Sequence, residues 1–82
     1  MPIQYMNKTK NKLRRILIEV LELDVNKLPE IIDVENSVNW DSLGHFQLIE
    51  KIEDEFNIEI EANKVVKLLG EREILNYLNE NL

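Results

Sequence analysis

The 82-residue sequence has no cysteine, one histidine (His45), two glycines and two prolines. Without cysteine there is no disulfide framework, no thiolate metal site and no cysteine nucleophile. A single histidine leaves little from which to build a catalytic dyad or a multi-histidine metal centre. Long hydrophobic runs are also missing. The longest aliphatic stretch, Ile16-Leu17-Ile18, ends at Glu19, which provides neither a membrane span nor a secretory signal core. A chain of this length forms one domain, residues 1–82, and buries too little apolar surface to open a deep active site without losing stability. An elaborate enzyme is therefore not expected, and the reading is a soluble cytoplasmic protein.

The charge is unevenly spread. The net charge is −6, yet residues 1–18 hold five basic and no acidic side chains, leaving five basic and sixteen acidic ones in the remainder. That acidic body repels phosphate backbones and attracts basic protein surfaces, which argues against nucleic acid and for protein partners. The basic run "KTKNKLRR" admits a membrane-surface or nucleic-acid reading. The commoner explanation is a solvated helical start that balances an acidic body.

Apolar residues at Leu13, Ile16, Leu17, Val20 and Leu21 fall on one helical stripe, so a first helix is expected from about Asn7 to Leu23. Residues 24–41 show no clean period, and Pro29 bars a long helix there while allowing a short turn at "PEII". Connections this long tend to be functional or to be packed down by their own side chains; Leu28, Ile31, Ile32, Val34, Val38 and Trp40 are available for that. A brief third helix is expected around "KVVKLL", ended by Gly70 as a left-handed cap. A fourth follows in "EREILNYLNENL", with Ile74, Leu75 and Leu78 inward and Tyr77 at the border. "FNIEIE" alternates like a strand but has no partner, so it reads as extended loop. The expected architecture is all-α: a small four-helix bundle with three longer helices, one short third helix, and a long loop between helices one and two.

The informative stretch is "NWDSLGHFQLIEKIEDEF", Asn39–Phe56. A second helix from Ser42 to Phe56 groups His45, Leu48, Ile49, Ile52 and Phe56 on one side and Leu43, Gln47, Glu50 and Asp54 on the other, with Phe46 and Glu53 along one flank. Ser42 opens this helix. It is either an N-cap, its hydroxyl accepting a bond from an unpaired backbone N–H, or a chemical handle. His45 lies on the apolar stripe and reads as packed or loop-bonded rather than catalytic. Trp40 is a loop anchor or a contact for whatever approaches Ser42. The carboxylates of "EDE", Glu53–Glu55, read as a solvated acidic face rather than a cation site.

The arrangement resembles the acyl carrier proteins, whose modified serine sits in a D-S-L motif at the start of the second of four helices. Leu13, Ile16, Leu17, Leu21 and Leu23 look like the family's first helix, and Val34 and Val38 match its loop anchors. "DSL", "EDEF" and "IEI" follow, and Leu75, Tyr77 and Leu78 match the last helix. The resemblance implies that a phosphopantetheinyl transferase moves 4′-phosphopantetheine from coenzyme A to Ser42, with Asp41 and Leu43 forming the cofactor site around it. The arm's thiol would then carry acyl or aminoacyl cargo as a thioester. The protein would be a substrate and shuttle rather than an enzyme, with no metal and with the chemistry supplied by cofactor and partners.

Implied partners are the transferase, an acyl- or aminoacyl-loading ligase or transferase, and a downstream synthase or acyltransferase. They would meet a monomer at Leu43, Phe46, Gln47, Glu50, Glu53 and Asp54. A long acyl cargo would enter between helices among Leu48, Ile52, Val65 and Leu68. Departures from the commonest fatty-acid-synthesis pattern bear on that cargo: Asn39-Trp40 replaces Gly-Ala before D-S-L, Gly44 replaces an acidic residue, and Glu50 an apolar one. "WDSLGH" looks more like stand-alone carriers of specialised pathways, such as those for modified sugars, polyketides or aminoacyl transfer. The competing reading is a helical interaction module with no prosthetic group, which would keep the bundle and the acidic face but need no reactive Ser42.

Overall fold

A computed structural model describes residues 3–82, with side chains described from Lys8 onward. Among the described residues the chain forms α1 (Ile3–Leu21), α2 (Ser42–Phe56), α3 (Ala62–Val65) and α4 (Glu71–Asn81), and no strand. Helix α1 packs against α2 and α4. Its stripe explains why: Leu13, Ile16, Leu17 and Leu21 are fully buried, and Val20 lies half-buried against them. Leu48 and Ile52 of α2, Ile74 and Leu78 of α4, and Ile32 of the long loop complete the sealed centre. Each such aliphatic side chain contributes about 1.5–3 kcal/mol relative to exposure.

Helix α1 ends two residues earlier than its apolar pattern suggests. Glu22 turns left-handed at φ 52°, and the Leu23 N–H reaches back to the Ile18 carbonyl at 3.0 Å, a Schellman closure. Helix α2 ends the same way: Asn57 is left-handed at φ 54° and donates to Glu53 O, and the Ile58 N–H reaches Glu53 O at 3.1 Å. The short third helix lies earlier than expected, at Ala62–Val65. Gly70 does not end it with a left-handed cap. Its φ of −165° is extended, it precedes α4 as the N-cap residue, and it bridges antiparallel to Asp33.

The long loop is held by side chains and by that bridge. Val34 N–H donates to Leu69 O at 3.1 Å, and Glu71 N–H to Ile32 O at 2.7 Å. Asp33 Oδ1 accepts from the backbone of Glu35 and Asn36, while Asn36 Nδ2 donates to Ile31 O. Arg14 of α1 is the deepest tie: its guanidinium donates to both oxygens of Glu71 at 2.9 Å and to the carbonyls of Pro29 and Glu30. Glu71 is buried and also accepts the Ile32 N–H at 3.0 Å. Burial pushes its carboxyl up, but the Arg14 and Ile32 hydrogen bonds and the Arg14 charge outweigh that and hold it below the ordinary carboxylate range. Of the expected loop anchors, Ile32 and Trp40 are buried and Leu28, Ile31 and Val34 half-buried, whereas Val38 is 97% exposed and anchors nothing.

Candidate functional site at the start of helix α2

The first turn of α2 settles which residue caps the helix. Asp41 is the N-cap, extended at φ −102° and ψ −167°. Its Oδ1 accepts the Gly44 N–H at 2.8 Å, and its carbonyl accepts the His45 N–H at 2.8 Å. Ser42 is therefore the first helical residue rather than the cap. It is exposed, and no hydrogen bond engages its hydroxyl among the described residues. The serine thus stands exposed at the positive end of a helix.

Gly44 is required where it stands. A Cβ there would collide with the Asn39 carbonyl oxygen, so glycine lets the incoming loop press against the first turn. Asn39 is fixed in turn by its Nδ2, which donates to Leu21 O at the end of α1 at 2.9 Å. Trp40 is 5% exposed. Its indole N–H donates to His45 Nδ1 at 2.9 Å, and the rings stack with centroids 6.2 Å apart and planes 24° apart. His45 Nε2 lies 2.8 Å from Val65 O. An indole only donates and a carbonyl only accepts, so the imidazole carries its proton on Nε2 and donates it to Val65. Both ring nitrogens are thus hydrogen-bonded, to the loop and to the end of α3.

Beside Ser42 lies an open depression of about 410 Å³ lined by Val34, Trp40, Asp41, Ser42, His45, Val66 and Leu69. Val66 and Leu69 are 65% and 44% exposed. Sequence reasoning did not single them out, although apolar residues on the solvent side of a four-residue helix and its exit were a usable signal. The outer side of α2 carries Leu43 and Phe46, 66% and 62% exposed, with Gln47, Glu50 and Asp54 exposed further down. Glu53 departs from that group: it is half-buried, and its Oε2 accepts the Ile60 N–H at 2.8 Å, fixing the chain as it leaves α2. Glu55 pairs with Lys51 and Arg15, so the "EDE" carboxylates are divided among different tasks. No group of residues suited to hold a metal occurs among the described residues. Of the four residues expected around a cargo space, Leu48 and Ile52 are fully buried, Leu68 is 5% exposed and Val65 half-buried against the core.

A four-helix bundle with a free serine at the head of its second helix, an apolar recess beside it and an acidic outer face is the arrangement of a small carrier protein. No family model matches the chain, but individual proteins do. It is 34% identical over 77 residues to an acyl carrier protein of Cylindrotheca sp. (strain N1), covering 94% of this chain and 96% of that one. It is 31% identical over 74 residues to an acyl carrier protein of Buchnera aphidicola subsp. Schizaphis graminum, covering 90% and 94%. A solved structure from Mycobacterium tuberculosis, provisionally described as an acyl carrier protein, shares the fold with a TM-score of 0.75 at 20% identity, over 90% of this chain and 99% of that one. The chain belongs to the acyl carrier protein family, whose members are carriers and not catalysts. Among the described residues no helix is long and apolar enough to cross a membrane.

Proposed function

We propose that this protein carries acyl or aminoacyl groups as thioesters on a 4′-phosphopantetheine arm attached to Ser42, in fatty acid, polyketide or another specialised biosynthesis. The observation that carries the reading is the division of labour in the first turn of α2: Asp41 holds the cap, so the exposed Ser42 hydroxyl is uncommitted. The residues present fit such an arm. A phosphodiester at Ser42 lies in the favourable field of a helix start, and the walls of Val34, Trp40, Val66 and Leu69 offer apolar contact next to it. When bound, the arm supplies the thiol that holds the cargo.

The chain's own residues position and present. Asp41 fixes the turn, Leu43 and Phe46 offer apolar contact to a partner, and Gln47, Glu50 and Asp54 extend the face with polar and acidic groups. Such a face suits brief encounters with a transferase, a loading ligase and a downstream synthase or acyltransferase, since charge steers association without locking it. Glu53 belongs beside this face as a brace for the α2 exit more than as a charge offered to a partner. The working unit is a cytoplasmic monomer.

Intact mass of the protein incubated with coenzyme A and an active phosphopantetheinyl transferase tests the assignment. The wild type gains one arm, and Ser42→Ala gains none while remaining folded. Labelling of that variant, or an unlabelled wild type beside a control carrier that is labelled, overturns it and leaves α2 as the docking face of an interaction module.

A further inference from the structure

We propose that Trp40, His45 and the Val65 carbonyl form a bolt across the seam between α2 and α3 that keeps the cargo out of the core, so that this carrier takes short, polar acyl or aminoacyl groups and not long alkyl chains. The inference rests on the carrier reading of Ser42 and adds the class of its cargo. Three elements meet in the bolt. Trp40 ends the long loop two residues before Ser42, His45 lies three residues after it in α2, and Val65 is the last residue of α3. Hydrogen bonds of 2.9 and 2.8 Å run from the indole N–H to the imidazole and from the imidazole to the carbonyl.

An alkyl chain passing from Ser42 toward Leu48 and Ile52 has to part α2 from α3. That would strip the His45–Val65 bond and leave a donor and an acceptor unpaired beside the core, a cost that grows where water cannot replace them. The apolar residues beyond the bolt are sealed from solvent: Leu48 and Ile52 are fully buried and Leu68 nearly so. The depression at Ser42 reaches His45 and Trp40, and neither Leu48, Ile52 nor Leu68 lines it. Space next to the serine therefore lies on the solvent side of the bolt. Its lining is mainly apolar, from Val34, Trp40, Val66 and Leu69, with Asp41 and His45 as its ionisable members, a surface for a short acyl group and for a cationic amino substituent placed toward Asp41.

The test loads Ser42 with acetyl-, glycyl- or octanoyl-phosphopantetheine from the corresponding coenzyme A thioesters and measures release of each acyl group by hydroxylamine, which a buried thioester resists. Arm attachment by intact mass is read first; its failure overturns the carrier reading itself, separately from the bolt. In the loaded wild type, octanoyl is released within about twofold of acetyl, and loading with either leaves the unfolding midpoint nearly unchanged, since a chain outside the core adds no folded-state binding. In His45→Ala, octanoyl release slows by about tenfold against that variant's own acetyl form, as the chain enters the opened seam. Trp40→Phe keeps a ring but removes the donor, and it shifts release in the same direction should His45→Ala fold poorly. The proposal is overturned if wild-type octanoyl is already protected relative to acetyl, or if chain length makes no difference in the variants.

Discussion

Replacing Asp41 and Ser42 one at a time tests whether the turn divides its duties as the geometry indicates. Asp41→Ala removes the acceptor for the Gly44 N–H at 2.8 Å, a cap worth about 1 kcal/mol. It also removes a negative charge at the positive end of α2, worth roughly 0.3–1 kcal/mol more. The sum, about 1.3–2 kcal/mol, lowers the unfolding midpoint by roughly 5–16 °C in a domain of this size. Asp41→Asn keeps an acceptor and loses only the charge, so it loses roughly 0.3–1 kcal/mol. Ser42→Ala removes a hydroxyl that bonds nothing and places the best helix former in the first turn, so stability stays within about 0.5 kcal/mol of wild type. Thermal and urea unfolding followed by circular dichroism ranks the three. If Ser42→Ala loses as much as Asp41→Ala, the serine is the cap and the argument that its hydroxyl is free for modification fails.

Gly44→Ala reverses the usual sign: glycine to alanine inside a helix ordinarily stabilises by about 1 kcal/mol, but the collision with the Asn39 carbonyl makes it cost on the order of 1–3 kcal/mol, read as a lower urea midpoint at unchanged slope. Glu71→Gln flattens the acid limb of stability. Because the folded carboxyl lies below its ordinary value, its contribution is complete above the unfolded value of about 4.3 and is lost as pH falls through the lower folded value, so the gap of about 1–3 kcal/mol between wild type and variant closes on acidification; a constant gap down to pH 2 would refute the pairing with Arg14. Glu50→Lys with Asp54→Lys slows transferase loading of Ser42 at low salt by about tenfold or more, against little change for Glu30→Lys in the loop, and the difference shrinks as salt is raised; equal loading of both would mean that the α2 face is only solvated surface for that partner.

The bundle was legible wherever a signal was local. The α2 stripe places Leu48, Ile49 and Ile52 in the core and leaves Leu43 and Glu50 outside, and the helix runs from Ser42 to Phe56 as its flanking residues suggest. The misreadings have separate physical causes. Glycine after an apolar run reads as a left-handed C-cap, but Gly70 is drawn into an extended bridge by Asp33. Leu23 extends the apolar pattern of α1, yet it closes the Schellman turn behind a left-handed glutamate that nothing in the pattern marks. Val38 is apolar but faces solvent, and the burial of Glu71 depends on Arg14, 57 positions away, a pairing that no local signal marks. At the site, Asp and Ser are both good caps. Their order in the chain could not decide between them, and only the Gly44 hydrogen bond does.

The departures around the D-S-L motif are one interlocked unit. Asn39 caps the carbonyl of Leu21, and in that position its own carbonyl occupies the place a side chain at residue 44 would need. An acidic residue there, as in the commoner pattern, is sterically incompatible with this loop path. The same path brings Trp40 under the first turn, where its N–H meets an acceptor because residue 45 is histidine, and the histidine's second nitrogen then reaches α3. Residues in one contact network do not contribute independently, so reverting Trp40 alone leaves His45 short of a donor, and filling Gly44 alone displaces Asn39. The physical consequence is a first turn braced from α1, the loop and α3 at once, with Ser42 the polar side chain of that turn that is exposed and makes no hydrogen bond. A rigid mount beneath a free hydroxyl suits a carrier, because partners that must find the same atom repeatedly benefit from a root that does not move.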